Sequence, residues 1–329
     1  MSLEHFGKLP DGREIHRVTL SDGDLKAQVL TLGATVQSLY LNGVDHSLMV
    51  GLPNLTSYVQ ATLPYCGAIV GRFANRIGRA RFRLDGMDFE TDPNFRDRHT
   101  LHGGRDGTDR QVWAIQDLEP DRVTLALTLP DGHMGFPGEL AISVTIGLSD
   151  GALSFDQRAT TTAPTPCSLA HHGYFDLDGT GDICRHRLQI EADHYLPVDD
   201  DLIPTGHVEL VAGTSFDFRA ERPIGDHPYD HNFCLSDGPR PSRAVAQLTG
   251  ASGVSMQIET TACGLQFYAG AGIPRVTAQG GRQLGAFAAL ALETQHWPDA
   301  MNHAHFPDPI LRPGDTYRES TVYRFRTRI

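Results

Sequence analysis

Two features of this chain could move protons. Glu293 follows the run Gly285-Ala-Phe-Ala-Ala-Leu-Ala-Leu292, apolar at nearly every position, which predicts a strand buried on both faces with a carboxylate at its end. Partial burial there disfavours the charged form and lifts the pKa toward the range of a useful general base, whereas a strand-end Glu turned to solvent would gain neither property. The second feature is His171-His172-Gly173-Tyr174-Phe175. Adjacent residues on a strand point to opposite faces, so one histidine can look into a given pocket and the other is left to structure. An imidazole can donate or accept a proton near neutral pH, although a lone His more often serves as a hydrogen-bonded core or surface residue.

Groups suited to binding surround these two in the sequence. Leu101-His102-Gly103-Gly104 places two glycines behind a histidine, where backbone can approach a ligand or simply turn. In Gly71-Arg72-Phe73-Ala74-Asn75-Arg76-Ile77, Arg76 lies in an apolar neighbourhood and needs partners if buried. Asn75 and Arg76 together offer fixed donors for hydroxyl oxygens, and a structural ion pair with a carboxylate is the competing reading. His303-Ala304-His305 has a spacing that could ligate a metal on a strand, but Asn302, Phe306, Pro307 and Pro309 around it read as a loop. No third ligand stands at a suitable spacing, so no metal is expected.

The elements that must hold these groups read as strands. Val123, Leu125, Leu127 and Leu129 alternate with Thr124, Ala126 and Thr128, and Leu140, Ile142, Val144, Ile146 and Leu148 alternate with smaller or polar residues. Between Arg81 and Glu90, Phe82 and Leu84 face Met87 and Phe89 across Asp85-Gly86, a dipeptide that suits a type I′ hairpin turn. Residues 25–32, 34–41, 188–192, 254–259, 265–269 and 321–325 fit the same period. Residues 55–61 predict one short helix, and no longer helical period is present. The expected fold class is all-β, a large antiparallel β-sandwich. No shift in composition, repeat or charged linker marks a boundary, so residues 1–329 are expected to form a single catalytic domain.

Composition narrows the partners. The 329 residues carry 28 Lys+Arg against 40 Asp+Glu, a formal charge of −12, with no basic run to meet phosphate backbones or anionic lipid. Nucleic acid and membrane surfaces are therefore poor candidates, and a small neutral ligand suits this charge better. Five widely spaced cysteines without a Cys-x-x-Cys pair indicate neither a disulfide framework nor a zinc ribbon. With no apolar signal core or spanning segment, a reducing cytoplasm is the expected location.

The blocks taken in order resemble the aldose 1-epimerase (galactose mutarotase) family from about Gly33 onward. The carriers are GRFANRI (71–77), TLHGG (100–104), DGHMGFPG (131–138), HHGYFDL (171–177), LIPTG (202–206), FDFR (216–219), YDHNF (229–233), GLQFYAG (264–270), LETQHWPDAMN (292–302) and LRPGDTY (311–317). The resemblance implies a galactose mutarotase-like supersandwich and cofactor-free interconversion of the α and β anomers of free aldoses such as glucose and galactose. By matched position it implies that Glu293 is the base on the C1 hydroxyl and His172 the acid at the ring oxygen. His102, Asp230, Gln266, Asn75 and Arg76 would bind hydroxyls or orient the ring, and Tyr174, Phe175 or Trp297 could face the sugar C–H surface. The expected partner is a small monosaccharide, met by a monomer or homodimer. Three departures stand out: His171 and Asp176 where the family usually has Asn, and Thr260-Thr261-Ala262-Cys263-Gly264 in a loop that could alter sugar preference. A hexose 6-phosphate mutarotase would need a cationic cradle, for which Arg72 and Arg76 are the candidates; a non-catalytic sugar-binding protein would be expected to lack one of the acid/base pair.

Overall fold

A computed structural model describes residues 2–327, whose regular elements are almost all antiparallel strands. The largest sheet has nine strands in the order Ala114–Leu118, Arg122–Leu129, Leu140–Ser149, Ala152–Thr161, Tyr317–Arg326, Ser255–Thr260, Arg243–Thr249, Arg187–Ile190 and Arg222–Pro223. A four-stranded sheet is made by Ser2–Lys8, Glu14–Asp22, Leu25–Leu30 and Thr35–Leu41, and a six-stranded sheet runs Tyr174–Phe175, Leu290–Gln295, Gly264–Tyr268, Asp230–Cys234, His194–Tyr195 and Glu209–Leu210. The main core draws on all three sheets, with Val18 and Leu20, Val144 and Ile146, and Phe267 and Leu292 in one cluster. The nine-stranded sheet thus forms one layer of a sandwich and the other two sheets the facing layer.

Period-two patterning accounts for the layers. Leu140, Ile142, Val144, Ile146 and Leu148 are at most 3 % exposed, while the residues between them are exposed or half-buried. Each such side chain contributes about 1.5–3 kcal/mol relative to an exposed one. The hairpin forms in the expected register, Phe82 opposite Phe89 and Leu84 opposite Met87, with Asp85 and Gly86 both at positive φ as a type I′ turn requires. The short helix is Leu55–Val59, capped by Asn54 Oδ1 accepting from the Ser57 N–H at 3.0 Å.

One expected element differs. The strand is Leu290–Gln295, so Glu293 lies inside it rather than at its end, and residues 285–289 are not strand. Phe287 adopts a left-handed φ of 60°, which breaks the run. Ala288 and Ala289 are apolar because they pack in a second cluster with Leu52, Ile273 and Leu284, not because they lie in a sheet.

Candidate active site

Strand register places the site on the six-stranded sheet. Glu293 is paired with Gln266, Gln266 with Asn232, Tyr268 with Asp230, and Ala291 with both Tyr174 and Tyr268. Paired residues of antiparallel strands share a face, so Tyr174, Glu293, Gln266 and Asp230 stand together. Their neighbours Phe175, Leu292 and Phe267 belong to the main core on the opposite face. The pleat that buries the core therefore raises the polar set on the other side.

The histidine pair resolves as strand alternation requires. His171 stacks on Phe155 at 4.3 Å and meets Tyr323 and Phe175 in the core. His172 points the other way, with its Nε2 3.8 Å from Glu293 Oε1 and its ring 5.0 Å from Tyr174 and 5.2 Å from His102. His102 arrives on a reciprocal link, its N–H donating to Asn75 O and its Nδ1 accepting from the Asn75 N–H, each at 3.0 Å. Gly103, at φ 85°, makes this approach possible: a Cβ there would lie 2.0 Å from Gly71 O.

The donors and acceptors form a chain. Asn75 Oδ1 accepts from the Arg76 N–H, Arg76 NH2 donates to Asp230 Oδ2 at 3.0 Å, and Gln266 Nε2 donates to Asp230 Oδ1 at 2.6 Å. The partner that Arg76 needs is thus Asp230, and that ion pair also fixes the guanidinium at the site. Arg76 Nε, Gln266 Oε1 and Glu293 Oε2 are buried and have no partner among the described residues. Open hydrogen-bonding positions concentrated beside an acid/base pair suit a polyhydroxylated ligand.

Burial sets the charges. Glu293 is pushed up to about 8, chiefly by desolvation and then by the nearby Asp230 carboxylate, with Arg76 opposing. His172 is lowered to about 4, chiefly by desolvation. His102 falls well below its ordinary value through desolvation and the neighbouring His172 and Arg76 charges. Burial therefore favours an uncharged pair holding one proton.

His102, His172 and Glu293 bring ligand atoms within 4.8 Å of one another, the spacing of a possible cation site. The hydrogen bond at His102 Nδ1 opposes that use. A neutral ring that accepts there carries its proton on Nε2, which then points a donor rather than a lone pair away from Asn75. This arrangement suits a ligand oxygen better than a metal.

A family model described as aldose 1-epimerase matches residues 16–324. The chain belongs to the aldose 1-epimerase family. It is 37 % identical over 334 residues to a galactose mutarotase of Rattus norvegicus, covering 97 % of each chain, and 35 % identical to an aldose 1-epimerase of Escherichia coli strain K12, covering 96 % of each. The crystal structure of a GalM/aldose epimerase homologue from C. elegans is similar with a TM-score of 0.89 and 29 % identity, covering 94 % of this chain and 98 % of that one. Its galactose mutarotase-like sandwich is the fold expected from the sequence blocks.

The structure brings Glu293, His172, His102, Asn75, Arg76, Asp230, Gln266 and Tyr174 together on this face. It does not bring the other aromatic candidates with them. Phe175 is wholly buried in the core, and Trp297 packs on Phe306 while its indole N–H donates to Cys263 O. Tyr65 was absent from the sequence-based set, yet its ring lies 4.5 Å from His102 and 5.7 Å from His172. Phe95, also absent, lies under the Arg76 guanidinium at 4.9 Å. Arg72 is occupied elsewhere, donating to Pro137 O and Gly138 O from a buried position. His303 binds Asp299 Oδ2 and His305 binds Gly206 O, so that pair serves two separate loop contacts.

Proposed function

We propose that this protein is an aldose 1-epimerase that interconverts the α and β anomers of free aldoses, galactose and glucose foremost, by acid/base opening and closing of the hemiacetal ring. The observation that carries the reading is the Glu293–His172 pair at 3.8 Å, buried on a face where Arg76, Gln266 and Glu293 keep open hydrogen-bonding atoms. The names of the relatives agree with it.

In ring opening the C1–O5 bond breaks, Glu293 takes the O1 proton, His172 gives a proton to O5, and C1=O1 becomes an aldehyde. Glu293 carboxylate with His172 imidazolium thereby becomes Glu293 carboxylic acid with neutral imidazole, the state that burial favours. Rotation about C1–C2 presents the other face of the aldehyde, and the reverse transfers close the ring. No redox change occurs, and each positioned group is worth about 10²–10⁴-fold. Asp230 orients Arg76 and Gln266 toward sugar hydroxyls, His102 offers its Nε2–H, and Tyr174 and Tyr65 supply ring surface. The hexose 6-phosphate alternative loses Arg72, which is enclosed by backbone carbonyls, and the non-catalytic alternative sits poorly with a complete pair.

Polarimetry tests the proposal. Fresh α-D-galactose or α-D-glucose should reach anomeric equilibrium faster with enzyme and no added cofactor; rates equal to buffer for all common aldoses would refute it.

A further inference from the structure

A cleft of about 350 Å³ lies away from the acid/base pair. Its rim is open at Pro239, Asp308, Asp315 and Thr316, and deeper in it is lined by Cys263, His296 and Glu319. Glu319 is 7 % exposed. Its Oε2 accepts from the Tyr317 hydroxyl at 3.1 Å, whereas its Oε1 is buried with no partner among the described residues. Arg318, the lining guanidinium, alternates to the exposed side of the same strand. A carboxyl with an open oxygen, two further carboxylates at the mouth and walls of Pro309, Ile310 and Leu311 make a cleft that is acidic at both depths and apolar between.

We propose that this cleft is a second binding site, for a small organic cation with a primary ammonium group on a compact apolar body. The ammonium would donate to Glu319 Oε1, supplying the partner the fold withholds, and the apolar body would lie against Pro309, Ile310 and Leu311. Asp308 and Asp315 draw the cation in from solvent. The Thr261-Ala262-Cys263 departure lines this cleft and not the Glu293 site, so its consequence falls on this ligand rather than on sugar preference.

Calorimetric titration with n-butylammonium chloride at pH 7, against 1-butanol and sodium chloride as controls, tests the site. Saturable binding of the ammonium alone is expected, weakened at least tenfold in Glu319→Gln. No binding, equal binding of 1-butanol, or full affinity in a folded Glu319→Gln would overturn the proposal. Should that variant not fold, the wild type still decides. Burial holds the Glu319 proton up to about 8, so binding must release it, and heats that do not change between buffers of different ionisation enthalpy would also overturn the proposal.

Discussion

Glu293 and His172 share one proton, and the pH dependence of the rate follows from counting it. With the carboxyl raised to about 8 and the imidazole lowered to about 4, the pair keeps that proton between those limits whichever group carries it. The rate should therefore hold a plateau between about pH 4 and 8 where the fold persists, falling on the acid side as a second proton binds and on the alkaline side as the last one leaves. A single inflection near pH 6.5 would contradict this shared-proton picture. Glu293→Gln and His172→Asn should each lower kcat by about 10²–10⁴-fold with unchanged circular dichroism; near-full activity in either would remove that residue from the mechanism. Both residues were visible as polar interruptions of apolar patterns. Asp230 and Gln266 were visible only through family blocks, because their link joins neighbouring strands 36 positions apart and leaves no local trace. Tyr65 sits in a loop at φ 58°, where no periodicity marks it.

At the level of elements, alternation predicts strands well wherever one face is wet. It failed at residues 285–289, where burial on all sides looks alike in a loop and in a central strand, and a left-handed Phe287 was needed to tell them apart. The turn carrying His102 is sensitive to substitution. In Gly103→Ala the added methyl would meet Gly71 O at a φ that side chains rarely adopt. We expect a loss of about 1–3 kcal/mol in urea unfolding, together with a larger fall in activity than that loss explains, because the His102 link to Asn75 must shift. Wild-type stability and activity in this variant would show that the turn is not constrained as described.

Across the whole molecule, buried titratable groups give stability a maximum. Glu293 and Glu319 are each raised to about 8, so between about 4.5 and 8 the native state holds protons that the unfolded chain has released, and stability falls as pH rises through that window. His171, His172 and His296, lowered to about 3, 4 and 4, stay neutral in the native state while the unfolded chain binds protons below about 6.5, so stability also falls toward acid. Below 6.5 these histidines, joined by His102 and by His231 lowered to about 4, outweigh the two carboxyls and Asp109, itself raised to about 7, and above it the carboxyls act alone. Urea unfolding should be most demanding near pH 6.5 and change by about 1–3 kcal/mol per pH unit on the alkaline side; stability still rising from pH 6.5 to 8 would contradict the burial of both carboxyls.

Glu293 occupies an interior strand with partners on both edges, Tyr174–Phe175 and Gly264–Tyr268. The backbone of that strand opens only when the sheet opens, so the proposed base is carried on a fixed support. The large motion of the reaction then belongs to the sugar, whose freed aldehyde must turn past a proton acceptor anchored to that strand. A cup that gripped every hydroxyl would forbid that turn, and a looser hold on C1 and C2 than on the rest of the ring is the price of making both anomers.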